Sequence, residues 1–227
     1  MLVNRYEYKN IGRETVDGKR HYCLPDGSRV PSVTTILDKT KPEEKKQALL
    51  NWRKSVGEKR AQEITTEAAS RGTRMHKWLE DYVKNNRDMG QPGTNPNSQQ
   101  SHKMANVIVE NGLRNVDEMW GIEVPLYVSG LYAGTTDACG IYNGQPSIID
   151  YKQTNKPKRT EWIEDYFLQL CAYAVAHNET YGTNIKQGVI LMCSQNYEFQ
   201  TWTVEGAEWE TWKNRWFDRI EQYYKLD

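Results

Sequence analysis

The segment LYAGTTDACGIYNGQPSIIDYKQ, residues 131–153, carries two carboxylates and a lysine spaced for joint chemistry. Asn143-Gly144 is the preferred dipeptide of a two-residue type I′ hairpin, and strand-like runs flank it on both sides. Such a loop pairs Tyr142 with Gln145; counting outward, Asp137 falls opposite Asp150, and Thr135 opposite Lys152. Cross-strand partners share a sheet face, as do Asp150 and Lys152 at a spacing of two. Carboxylates about 5 Å apart repel by about 3 kcal/mol at an effective dielectric of about 20, which favours a divalent cation between them. Mg2+ suits a few carboxylate and carbonyl oxygens, with the backbone carbonyl of Tyr151 as an additional ligand. A metal site activates water near neutral pH, and Lys152 can orient that water or stabilise charge on the phosphorane. An acid two residues before a lysine occurs five times, starting at Glu7, Asp17, Glu43, Glu44 and Asp150. Only the last follows an apolar strand and faces a second carboxylate; the other four read as solvated pairs.

The elements that must position these residues follow from periodicity. Residues 42–54 and 58–84 carry helix formers with apolar residues at helical spacing, so the first third is expected to be mainly helical, and PSVTTIL to open a short helix. GQPGTNPNSQQ, residues 90–100, reads as a mobile surface loop. After a helix over 102–113 the pattern turns to strands at GIEVPLYV, LYAGTTDACGIY and PSIIDYK. A helix over about 161–177, strands at GVILMCS and EFQTWTV, and a last helix over 207–224 complete the order. This predicts an α+β, mixed α/β fold: a core sheet flanked by helices, in a single domain over 1–227 with a helical N-terminal part (1–113) and a catalytic core (114–227).

With 37% hydrophobic and 26% charged residues, the 227-residue chain suits a globular protein with one substantial core. Its formal net charge is zero, so phosphate binding has to come from local basic patches. Four scattered cysteines, Cys23, Cys139, Cys171 and Cys193, form no CxxC pair and read as reduced thiols. No apolar run approaches membrane-spanning length, and the opening MLVNRYEYKN resembles neither a signal nor a transit peptide. A cytoplasmic, bacterial or phage setting and a monomer are the expectations.

Taken together, GTTD, IIDYK and the following QLCAY resemble the RecB-type branch of the PD-(D/E)XK nucleases. PSVTTIL, RGTRMHKWLE, IIDYKQTNKPK and FLQLCAYAVAHN are similar, more closely, to the mitochondrial genome maintenance exonuclease family and its phage relatives, across residues 31–178. The resemblance implies a restriction-endonuclease-like core and a Mg2+- or Mn2+-dependent exonuclease that prefers single-stranded DNA with a free end. It implies metal binding by His76, a carboxylate role for Glu123 at the metal or its waters, and support of the site and DNA contact by Gln169 and Tyr173. Read from the residues alone, His76 and Glu80 share a helical face, as do Gln169 and Tyr173; a structural histidine, a solvent-facing Glu123 and a core Gln169 are the alternatives.

For DNA, KQTNKPKR sets Lys156, Lys158 and Arg159 just beyond the catalytic strand, although such a run is also commonly a solvated loop. In the helical third, Arg53, Lys54, Arg60, Arg71, Arg74 and Lys77 alternate with Trp52, Trp78 and Tyr82, a mixture able to track phosphates and stack bases. A helical gate over the site is the expectation, against an ordinary amphipathic pair whose aromatics form core. A structure-selective endonuclease or duplex-resecting exonuclease of the same fold is the first alternative, a catalytically silent DNA-binding module the second.

Overall fold

The computed structural model describes residues 2–16 and 18–226, so the discounted Asp17 lies outside the described residues. The elements run β1 (Gly12–Val16), β2 (Lys19–Cys23), β3 (Arg29–Pro31), α1 (Val33–Lys39), α2 (Glu43–Val56), α3 (Glu58–Lys84), α4 (Pro96–Asn111), β4 (Val116–Val128), β5 (Tyr132–Tyr142), β6 (Gln145–Thr154), α5 (Glu164–Tyr181), β7 (Gln187–Ser194), β8 (Phe199–Val204) and α6 (Gly206–Lys225). The last five strands form one mixed sheet in the order β4-β5-β6-β7-β8. Neighbours are antiparallel except β6 and β7, which run parallel and are joined by the crossover helix that parallel pairing requires, α5. The expected α+β architecture, a core sheet flanked by helices, is borne out.

Alternation along the strands lets the sheet bury both faces. Ile148, Ile190 and Met192 pack with α1, α5 and α6, while Ile149, Val189 and Leu191 pack with α3 and α4. α6 contributes a stripe of Trp209, Trp212, Trp216, Ile220 and Tyr223, the three-and-four spacing of a one-faced helix. α5 buries residues almost all round, from Phe167 to His177, and stops at Gly182 in the left-handed conformation that a helix C-terminus favours.

Two regions depart from the sequence reading. Residues 12–16 and 19–31 are not helical: β1, β2 and β3 form a separate three-stranded antiparallel sheet. The expected loop over 90–100 is shorter, because Asn95 caps α4 by accepting from the backbone N–H of Asn97 and of Ser98, and Pro96 occupies the first turn. Three of the four cysteines are buried, and all four are free.

His177 is fully buried, within reach of Tyr8 Oη at 3.1 Å and Thr183 Oγ1 at 2.8 Å. Burial pushes its imidazole down from 6.5 to about 4. Between those pH values the unfolded chain binds a proton that the folded chain excludes, so stability is expected to decline as pH falls through this window. The loss at its acid end is on the order of 3 kcal/mol. Denaturant melts of wild type and His177→Gln at pH 7 and 4.5 check this: the variant should show a smaller pH dependence, and equal slopes would remove His177 as the cause.

Candidate active site

The hairpin register holds from Tyr142↔Gln145 to Ala138↔Ile149. Asn143 and Gly144 have φ of 48° and 78°, both left-handed as the type I′ turn requires. The ladder ends one step short of the expected carboxylate pair. There the side chain of Asp137 takes the hydrogen bond, its Oδ2 accepting from the backbone N–H of Tyr151 at 2.7 Å. Asp137 and Asp150 are therefore neighbours rather than ladder partners, a correction to the simple count outward from the turn.

Asp150 is 3% exposed and is met by Lys152, whose Nζ lies 2.7 Å from each of its carboxylate oxygens. The ammonium donates to Oδ1, while Oδ2 is buried with no hydrogen bond directed at it. Lys152 also donates to Gln169 Oε1 at 3.3 Å and sits over the Tyr166 ring at 4.8 Å. Tyr173, one helical turn beyond Gln169, is buried against β5. A Cβ on Gly134 would stand 2.7 Å from its ring, so the glycine of GTTD is what admits the tyrosine.

His76 arrives from α3, its Nδ1 3.3 Å from Asp137 Oδ1. Glu123 sits on β4 between Ile122 and Val124, whose partners Ala138 and Thr136 flank Asp137. Its φ of 49° is the left-handed region that non-glycine residues rarely occupy, a strain on the order of 1–3 kcal/mol. Ligand atoms of His76, Glu123 and Asp137 all lie within 4.8 Å of one another, a group able to hold a metal ion.

The electrostatics agree with this geometry. Burial lowers the His76 imidazole, but Asp137 outweighs it and the net shift is upward. Burial raises Asp137, yet His76, Lys152 and the Tyr151 N–H bring it below the ordinary carboxylate range. Asp150 is pushed up to about 6, by burial first, with Lys152 opposing and Asp137 adding. Burial lowers Lys152, but Asp150 and Asp137 hold it well above the usual ammonium range. Glu123 is raised by its partial enclosure and then by Asp137, although its side chain still reaches solvent.

A divalent cation fits this donor set. One imidazole and two carboxylates are available in a group, and Oδ2 of Asp150, in ion-pair contact with the Lys152 ammonium but accepting no hydrogen bond, adds a buried carboxylate oxygen. The nitrogen ligand suits Mn2+ better than Mg2+. The backbone carbonyl of Tyr151 remains a proposal; its ring packs edge-on to His76 at 6.0 Å.

An open cleft of about 540 Å³ leads to His76, Glu123, Asp137 and Tyr173. α3 forms one wall through Thr73, His76, Lys77 and Glu80. The opposite wall includes Arg13, Arg20, Tyr22 and Thr34, from β1, β2 and α1. Sequence reasoning missed these. The available signal was Arg20 and Tyr22 two residues apart, hence on one strand face, but the run is short and charged and reads as loop.

The expected DNA-contact residues do not all gather here. Arg71 and Arg74 line a different cleft, on the other side of α3. Arg71 is only 6% exposed and bonds to Gln153, Gln195 and Asn155. Lys156, Lys158 and Arg159 lie outside the lining of the metal-capable cleft. Lys156 is exposed, Lys158 is tied through its backbone to Gln200, and Arg159 stacks on Trp162 at 5.4 Å. Trp78 packs toward the core and edge-on to His102, so the core alternative holds for it. Arg53, Arg60 and Lys77 are paired with Glu58, Glu63 and Asp81.

No protein-family model matches the chain. It is 28% identical over 211 residues to mitochondrial genome maintenance exonuclease 1 of Xenopus tropicalis, covering 86% of this chain and 58% of that protein. The same protein of Mus musculus is 26% identical, with 86% and 59% covered, and that of Homo sapiens 26% identical, with 86% and 58% covered. The chain thus spans under two thirds of the length of these curated relatives. A solved structure of a candidate exonuclease from Eubacterium rectale aligns with a TM-score of 0.47 at 11% identity, over 69% of this chain and 64% of that one. Among the described residues no helix is long and apolar enough to cross a membrane. The similarity over 86% of its length supports assigning the chain to a nuclease family, as a relative of the mitochondrial genome maintenance exonucleases.

Proposed function

We propose that the chain is a divalent-metal-dependent DNA exonuclease that hydrolyses phosphodiester bonds of single strands from a free end, as a monomer, in DNA replication, repair or recombination or in phage DNA metabolism. The observation that carries this reading is the meeting of His76, Glu123 and Asp137 at one open cleft, with the buried Asp150–Lys152 pair acting on Asp137 from behind it. His76, Glu123, Asp137 and Asp150 would hold Mg2+ or Mn2+, with the Tyr151 carbonyl as a further oxygen. When bound, such an ion supplies Lewis acidity to the scissile phosphodiester and to the attacking water.

The chain's own groups do the rest. Asp150 and Gln169 fix the Lys152 ammonium, which faces charge that develops on the phosphoryl oxygens and costs little to reorganise because its partners already hold it. Asp137 is held by the Tyr151 N–H and by His76, so its carboxylate stays ionised. Arg13 and Arg20 on the facing wall offer guanidinium forks to phosphates next to the scissile one. Lys156, Lys158 and Arg159 meet the strand farther out.

The test is labelled linear single-stranded DNA incubated with the purified chain and Mg2+, Mn2+ or a chelator. Stepwise shortening with either ion and none with the chelator is expected. DNA left intact with both ions would refute the reading.

A further inference from the structure

A second cleft, of about 710 Å³, lies on the far side of α3, bounded by α3, the start of α4 and Gln195 just beyond β7. Arg71 and Arg74 face it, one helical turn apart, together with the amides of Gln62, Asn97, Gln100 and Gln195. The nearly buried Arg71 is served only by neutral oxygens: Nε donates to Gln153 at 2.9 Å, Nη1 to Gln195 at 3.4 Å and Nη2 to Asn155. The Nε of Arg74 is buried with no partner. Among the described residues no carboxylate comes within ion-pair distance of either guanidinium. Of the acids on the wall, Glu63 is held by Arg60 at 3.0 Å, which leaves Glu67 against two arginines.

Two adjacent cations, one nearly buried and the other half-buried, that share the single unpaired carboxylate of Glu67 are unfavourable unless a further anion completes them. The net excess of one positive charge matches one phosphodiester. The planar fork of arginine binds phosphate in two-point fashion, and amide donors commonly take phosphate and sugar oxygens. α3 separates this cleft from the metal-capable one by about its own 10 Å diameter.

We propose that this second cleft is a phosphate subsite that grips the nucleic-acid strand away from the scissile bond, the strand passing α3 between the two. The identity of the strand rests on the proposed function; the anion site does not. Arg74→Gln and Arg74→Lys are compared with wild type by fluorescence anisotropy of a labelled single-stranded oligonucleotide in chelator, over a salt series. Arg74→Gln is expected to bind about tenfold more weakly. Its log–log salt slope should be shallower by about 0.7. Arg74→Lys should keep the slope while binding less tightly. Unchanged affinity and slope in Arg74→Gln would overturn the proposal. If wild type binds no oligonucleotide, inorganic phosphate decides. A saturable rise in Tm lost in Arg74→Gln supports an anion site filled by free phosphate and rejects the nucleic-acid ligand. No rise in wild type rejects the site itself.

Discussion

Lys152→Met is expected to slow single-strand hydrolysis on the order of a thousandfold with saturating Mn2+, the scale seen when one preorganised donor to a developing oxyanion is removed. Methionine keeps the stem and much of the volume, so packing against Tyr166 survives while the ammonium is lost. The substitution also leaves Asp150 buried without its one cation, and breaking such a pair destabilises by about 3–5 kcal/mol. Asp150, already pushed up to about 6 beside Lys152, would then hold its proton still more firmly. Single-turnover rates, with circular dichroism to confirm folding, separate the two effects. A folded variant that cuts within about tenfold of wild type, a difference of about 1.4 kcal/mol, would remove Lys152 from the chemistry. Asp137→Asn should be as inactive for a different reason, loss of a ligand shared with His76 and Glu123, and so should lose far more Mn2+ affinity than Lys152→Met, which removes no ligand and acts on the ion only through the protonation of Asp150.

That contrast depends on geometry that was only partly legible in the sequence. The Asn143-Gly144 turn is a local rule, and it put Asp137 and Asp150 together correctly to within one ladder step. What it did not contain was the side-chain-to-backbone bond from Tyr151 to Asp137, because a carboxylate replacing a ladder acceptor leaves no mark on alternation. Glu123 entered by resemblance, yet its positive φ follows from how β4 is held against β5 and has no signal in GIEVPLYV. Likewise the order of the core elements follows from periodicity, since each strand and helix there buries a long apolar run. β1, β2 and β3 escaped because GRETV, KRHYC and RVP are short and largely polar, and their pairing is a tertiary fact. With them went Arg13 and Arg20, the two arginines that line the cleft.

Recovering that wall sharpens the expectation that the enzyme needs an end. β1, β2 and α1 form one side of the metal-capable cleft and α3 the other, and α2 is the chain that has to join them. α2 buries no residue, runs about 21 Å at helical rise, and is pinned at both ends. Lys45 pairs with Glu164 at the start of α5 at 2.8 Å, and its C-terminus continues through Gly57 into α3. We propose that α2, which joins the two walls in sequence although none of its residues lines the cleft, arches over the route to Asp137, so that a strand beneath it would enter by its end. Linear single-stranded DNA should therefore be consumed while a covalently closed circle of the same sequence stays intact, and one nick in the circle should restore digestion. Gel analysis of the three substrates in one reaction checks this with metal, enzyme and sequence held constant. Cutting of the circle as quickly as the linear strand would reject the arch and favour a structure-selective endonuclease with the same metal site. Loss of end-dependence on cleaving a protease site inserted near Gly57, with hydrolysis retained, would tie the requirement to the continuity of α2 and α3 rather than to the catalytic residues.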